Sequence, residues 1–280
     1  MPPILASAQA PATSPETTEQ PGHRPAASVH ERVLATVAAR ICASSDRSDD
    51  GTSEGGQAQR LEALCDAVVT SDAALDGAFA QLRRQHGVTD EELVDCHIPA
   101  AACQLGTDWS ENRRSFAEVT IGTARLIAAV RRLGERWIAD TVADWRAPNM
   151  AMVVPESEQH RLGAMIAASQ FRRLGVSVQM LIGRPEHEVI GRISEGGFDF
   201  VSFSLATREG LEQTRRLIQM LRKSVIELPP IVVGGALGSD AEGVRAQLGA
   251  DVVACDPKQA LSLCGISVPP WPRGTSRANA

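Results

Sequence analysis

The stretch Met150-Ala151-Met152-Val153-Val154-Pro155-Glu156-Ser157-Glu158-Gln159-His160-Arg161-Leu162-Gly163 decides the fold. A short apolar run reads as a buried strand over Met150 to Val154, and an amphipathic period opens at the histidine and runs to Leu174, which reads as a helix. Between them, a carboxylate stands two residues before a histidine, and a glycine stands three after it. That pattern suits a metal-ligating imidazole on a loop ahead of a helix. One ring nitrogen would take the metal, and the other would be oriented by a hydrogen-bond partner. Gly163 would let a bulky ligand come close to the backbone. By itself the hexapeptide also fits a surface histidine at a helix start, so its surroundings must decide.

Downstream, strands and helices alternate. Val176 to Ile182, Phe198 to Ser204, Pro230 to Val233 and Asp251 to Ala254 read as further strands. Glu186 to Ser194, Glu209 to Lys223, Ala241 to Leu248 and Pro257 to Leu263 read as helices, the last with Asp256 as N-cap and Pro257 in its first position. Such alternation predicts a parallel sheet covered by helices on both faces, because parallel strands need crossover connections. Ligands of such sheets bind at the carboxyl ends of the strands. Three loops would meet there: Glu158/His160/Gly163, Ser204-Leu205-Ala206-Thr207, and Gly234-Gly235-Ala236-Leu237-Gly238. Ser202 and Ser204 are two apart and so share a face, the one nearer the loop being the one to reach a ligand.

Upstream the periodicity is helical throughout. Leu61, Leu64, Val68 and Val69 mark one helix, and Leu75, Phe79 and Leu82 a second that ends at Gly87. Leu93, Ile98 and Leu105 mark a third, opened by a Thr89/Glu92 capping box, and Phe116 to Leu133 a long fourth. These predict a bundle over 58–145 ahead of an α/β domain over 146–265. Residues 1–57 read as a disordered tail, one helix over Val29 to Ala43 and a polar linker, and 266–280 as a frayed tail.

Composition narrows the function. A net charge of −6 argues against a surface that neutralises many phosphates, so direct DNA binding is not expected. The six cysteines lack zinc-like spacing, and no long apolar run predicts a membrane span. The reading is a cytoplasmic protein with reduced thiols. Arg131, Arg132, Glu135 and Arg136 read as a solvated face, His187 as a surface residue, and Cys255 as an inert half-buried thiol. The first strand ends in Val153-Val154-Pro155, which supplies no acidic cluster for a phosphoacceptor.

Glu158-x-His160-x-x-Gly163, followed by Ser204 and Gly234-Gly235, resembles the cobalamin-binding domain of the methionine synthase type. Leu105-Gly106-Thr107-Asp108-Trp109, followed by Phe116-Ala117-Glu118-Val119, resembles the segment of the four-helix cap that precedes that domain. The resemblance implies a five-stranded, flavodoxin-like α/β fold behind a helical bundle. It implies His160 as the lower axial ligand of cobalt, Ser204 or Ser202 facing the buried base, Gly234 and Gly235 lining its channel, and Trp109 over the upper face. In this family the first motif residue is usually Asp, and the extra methylene of Glu158 predicts a looser or longer bond to the imidazole. Val119 and Thr120 stand where adenosyl-holding photoreceptors carry a Glu-His pair, which points to hydroxo-, aquo- or methylcobalamin. The bundle-plus-domain unit with an N-terminal extension resembles the cobalamin-binding antirepressors of purple photosynthetic bacteria. That resemblance implies a non-enzymatic, light-responsive partner of a transcriptional repressor. The alternative is a corrinoid carrier in a methyltransferase system.

Overall fold

The structure is a computed structural model and describes residues 54–142, 147–206, 208–235 and 241–268. The expected N-terminal tail and the helix over Val29 to Ala43 lie outside them. The bundle begins with α1 (Glu54–Thr70), which starts ahead of the expected Ala58, and α2 (Asp72–His86). Ser71 caps α2 by accepting the Ala74 N–H at 3.1 Å, and Gly87 ends it with φ +65°.

The expected third helix has three parts: the single turn α3 (Asp90–Glu92), a π-helical stretch over Leu93–His97, and α4 (Ile98–Ser110). The Thr89/Glu92 capping box forms at its start as expected. The π stretch follows from burial. Leu93 and Ile98 are both fully buried, and their spacing overruns a regular turn, so the backbone widens until Ile98 N–H reaches the Leu93 carbonyl. Helix α5 (Phe116–Val142) completes the bundle, whose core includes Leu64, Val68, Phe79, Leu105, Leu126 and Val130.

The second unit is β1 (Asn149–Val154), α6 (Arg161–Arg173), β2 (Ser177–Ile182), α7 (Glu186–Ser194), β3 (Phe200–Leu205), α8 (Arg208–Ser224), β4 (Ile231–Gly235), α9 (Ala241–Leu248), β5 (Val252–Val253) and α10 (Pro257–Leu263). All pairings are parallel and the strand order is β2-β1-β3-β4-β5, the expected five-stranded, doubly wound, flavodoxin-like sheet. Alternate residues serve the two faces. Val153, Val201, Phe203 and Val233 pack under α7, α8 and α9, while Met150, Met152, Phe200 and Val232 pack under α6 and α10. Asp256 caps α10 through the Gln259 N–H, with Pro257 at its first position, as expected.

The strand ends differ from expectation. β3 runs one residue past Ser204 to Leu205, and β4 takes in both Gly234 and Gly235, because the ladder continues to Ser204 opposite Gly234 and Leu205 opposite Gly235. Thr207 and Ala236 to Asp240 fall outside the described residues. After α10, Ile266 and Val268 pack on the α10 side of the core, so residues 266–268 are anchored where a frayed tail was expected, and the rest of that expected tail lies outside the described residues. Cys255, expected to be half-buried, is exposed, as is His187. Arg132 reaches across the bundle to Asp76 at 2.6 Å.

Helix α6 joins the two units. One side (Leu162, Met165, Ile166) belongs to the bundle core, and the other (Ala167, Phe171) packs on the sheet, with the Phe171 and Phe200 rings 5.6 Å apart. Arg173 of α6 binds Asp95 of the π stretch at 2.5 Å and lies over the Trp137 ring at 4.8 Å, and Gln170 adds a bond to Asp95 at 3.1 Å. The bundle is therefore seated on the helix that the candidate histidine opens.

Candidate functional site

In the order β2-β1-β3-β4-β5 the direction of winding reverses between β1 and β3, so the ligand crevice opens beyond their carboxyl ends. The loop 155–160 leaves β1 at that point. Glu158 N–H donates to the Pro155 carbonyl at 3.0 Å, which turns the chain and sends the glutamate side chain inward. Glu158 is 0% exposed. Its Oε1 accepts the His160 main-chain N–H and meets His160 Nδ1, both at 2.9 Å, while its Oε2 accepts the Ala206 N–H at 2.7 Å. One buried carboxylate thus ties the loop after β1 to the loop after β3. Ser157 adds a second tie, its N–H and hydroxyl donating to Gln213 Oε1 of α8 at 3.1 and 2.6 Å.

This corrects the expectation of a loosened histidine contact. The longer side chain keeps the imidazole at 2.9 Å and uses its reach to engage Ala206 as well. Sequence reasoning put Ala206 in a loop at the site but did not foresee its N–H as a Glu158 partner, and it missed Gln213, because main-chain donors and cross-helix amides leave no local pattern.

His160 stands immediately ahead of α6 with a side chain that is 50% exposed. A carboxylate only accepts, so the contact with Glu158 assigns the proton to Nδ1 and makes Nε2 the lone-pair nitrogen. Gly163, in the first turn of α6, has nothing within 4 Å of where a Cβ would stand. Ser204 is half-buried and opposite Gly234, on the face covered by α6 and α10. Ser202 lies one pleat deeper, buried between Met152 and Val232.

The two glycines of β4 differ. A Cβ at Gly234 would sit in ordinary contact, 3.5 Å from the Ala254 carbonyl oxygen. Gly235 has φ +120°, and a Cβ there would overlap the Leu205 carbonyl, so the protein's own backbone requires glycine at that position.

Trp109 belongs to the bundle, and its ring contact is with Phe116, centroid to centroid at 6.2 Å. Trp109 is 39% exposed and Phe116 69%, with Ile121 also outward. Helix α6 returns from the carboxyl edge of the sheet to its amino edge, and α5 runs the same way, ending just ahead of β1. Gly134 of α5 lies beside Ser169 of α6, and Trp137 beneath Arg173. With 27 residues against 13, α5 is about 40 Å long and α6 about 20 Å. The start of α5 therefore projects past His160 along the helix axis, and Trp109, Phe116 and Ile121 stand exposed on the bundle.

The donor set fits a corrin-bound cobalt. No group of three or more His, Cys, Asp or Glu that could cage a bare ion exists among the described residues. A macrocycle supplies its own equatorial nitrogens and asks the protein for one axial ligand. An imidazole held by a buried carboxylate, beside a helix turn open at Gly163, meets that demand.

Comparison with known proteins bears on the same residues. Residues 148–262 match the B12 binding domain family. A Rhodobacter capsulatus protein, described as an uncharacterized 20.5 kDa protein in the bchF-crtJ intergenic region, is 31% identical over 188 residues, which is 67% of this chain and 97% of that protein. The monomethylamine corrinoid protein of Methanosarcina barkeri shares the fold, with a TM-score of 0.59 at 15% identity, over 73% of this chain and 96% of that one. The chain belongs to the family of B12-binding-domain proteins that the Rhodobacter capsulatus relative represents.

Proposed function

We propose that the protein is a light-responsive, cobalamin-binding regulator that acts by protein–protein contact on a transcriptional repressor of photosystem genes. The single observation that carries cobalamin binding is the buried Glu158, which orients His160 and joins the loops of β1 and β3 at the switch point. The regulatory half is supported by the Rhodobacter capsulatus relative, whose name sets it between bchF and crtJ, in a photosynthesis gene region.

Each residue has a defined task. His160 would ligate cobalt through Nε2, with Glu158 keeping the proton on Nδ1. Ser204 and Gly234 would border the cofactor's heterocyclic base, and Trp109 and Phe116 would cover the cofactor from the bundle side. When bound, the cofactor supplies a cobalt–ligand bond that light breaks or exchanges. Helix α6 links that event to the bundle, since His160 opens the helix on which the bundle is seated. Thr120 is exposed, its hydroxyl donating to the Phe116 carbonyl at 2.7 Å, and Val119 packs against the bundle core. Neither supplies a polar clasp for an adenosyl group, which supports the hydroxo, aquo or methyl form.

The test is retention of hydroxocobalamin and its visible spectrum, in light and darkness, for the protein and His160→Ala, followed by capture of the repressor by each. Equal retention with identical spectra would remove His160 from the ligand role. Light-independent capture, together with methyl transfer from methylcobalamin to a thiol acceptor, would establish a corrinoid carrier instead.

A further inference from the structure

The corner between α4 and α5 contains an ion-pair knot that the cofactor contacts do not explain. Asp108, in the last turn of α4, is 6% exposed. Its Oδ1 accepts from Gln104 at 2.8 Å and from two guanidinium nitrogens of Arg113 at 3.0 and 2.6 Å, and its Oδ2 accepts from Arg114 at 3.0 Å. Its carbonyl accepts the main-chain N–H groups of both arginines, at 2.7 and 3.2 Å. Arg114 reaches on to Asp66 of α1 at 2.5 Å. Between them Asn112 adopts φ +58°, a left-handed backbone that is uncommon for a side-chain-bearing residue.

Such a knot is a poor stabiliser. Replacing a buried charge network by apolar residues is often neutral or favourable, so its value lies in the geometry it specifies. The geometry here is unusual: Asp108 is buried while its neighbour Trp109, with Phe116 just beyond the corner, stays outside. Burying those rings in the bundle would remove apolar surface from water. The knot opposes that collapse by fixing both helix ends to one carboxylate.

We propose that Asp108 is a positioning residue whose grip on Arg113 and Arg114 holds Trp109 and Phe116 raised as a roof over the His160 edge. The role rests on the cobalamin-binding reading, but the corner can be tested with or without a cofactor.

The experiment has two arms. In the first, protein loaded with aquocobalamin is mixed with azide, and ligand exchange at the upper face is followed in the visible spectrum for the protein, Asp108→Asn, Trp109→Ala and the double variant. Asp108→Asn is expected to speed exchange about tenfold, and the double variant to exchange no faster than Trp109→Ala, the non-additivity of residues that act as a unit. The spectral signature of lower axial histidine stays unchanged. Exchange at the original rate in Asp108→Asn, or multiplying effects of the two substitutions, overturns the proposal. In the second arm, acrylamide quenching of Trp109 emission, taken as the difference from Trp109→Phe, is measured without cofactor. An altered quenching constant in Asp108→Asn supports the knot, and an unchanged one sinks it, even if the protein proves not to bind cobalamin. Should Asp108→Asn not fold, Arg113→Gln, which removes one arm of the knot from a half-exposed side chain, is expected to shift both readouts in the same direction.

Discussion

Glu158 holds His160 twice through one oxygen, at the main-chain nitrogen and at Nδ1, both at 2.9 Å. A carboxylate that is fully buried and satisfied by three donors from two loops is costly to disturb. Removing it strands the Ala206 N–H and frees the imidazole together.

Glu158→Ala is therefore expected to lower unfolding stability by about 1–3 kcal/mol, the cost of buried donors left unpaired. Glu158→Asp should cost about 1 kcal/mol, because the shorter side chain keeps one loop and releases the other. Urea denaturation of the three proteins orders them. A Glu158→Ala protein as stable as the original would show that the bridge contributes nothing.

The glycines separate fold from ligand. Gly235→Ala should destabilise by about 2 kcal/mol or more, from strain at φ +120° and overlap with Leu205. Gly163→Val meets open space, so its thermal midpoint should move little while cobalamin retention falls. Gly234→Ala should behave like Gly163→Val, its Cβ touching the Ala254 carbonyl at an ordinary distance. Thermal melts paired with retention on gel filtration would reveal whether Gly163 and Gly234 respond as folding positions instead.

Seating of the bundle depends on Asp95 and Arg173, both mostly buried and 2.5 Å apart. Asp95→Ala leaves the Arg173 charge unpaired between the units and should cost about 2–4 kcal/mol. Calorimetry is expected to show the single transition split, with the bundle melting ahead of the sheet. A single transition at the original midpoint would mean that the apolar contacts of Leu162, Met165 and Ile166 suffice alone.

The Asp108 knot predicts an acid dependence. Burial raises the Asp108 pKa, but hydrogen bonds from Arg113, Gln104 and Arg114 outweigh it and hold the carboxyl below its ordinary value of 3.8. A group depressed on folding stabilises fully above its unfolded pKa, and that contribution is lost as pH falls through the folded one. The stability gap between the protein and Asp108→Asn should thus stay constant from neutrality to about pH 4 and close below it. Denaturation midpoints at a series of pH values give the gap directly, and a gap that widens with acid contradicts the assignment.

The strand-and-helix alternation after Met150 was legible, because a continuous apolar run marks a strand buried on both faces and a 3.6 period marks a helix with one face buried, and both are local properties of the sequence. So were the Thr89/Glu92 and Asp256 caps, whose partners lie within a turn. The π stretch is not legible in the spacing of Leu93 and Ile98, since a helical pattern tolerates one such offset. Strand ends were misplaced at Ser204 and Gly235 because a ladder stops where its neighbour stops.

Residue identity alone determined that a histidine with a carboxylate and a glycine at fixed offsets would follow the first strand, and that this strand would begin a parallel sheet. Only the tertiary structure decided what Glu158 does with its second oxygen, which helix carries the bundle, and how far the start of α5 projects past His160. Those outcomes depend on the Ala206 N–H, on two-sided packing of α6 and on the relative lengths of α5 and α6. They are contacts between segments far apart in the chain, and the free energy that selects them appears only when the segments meet.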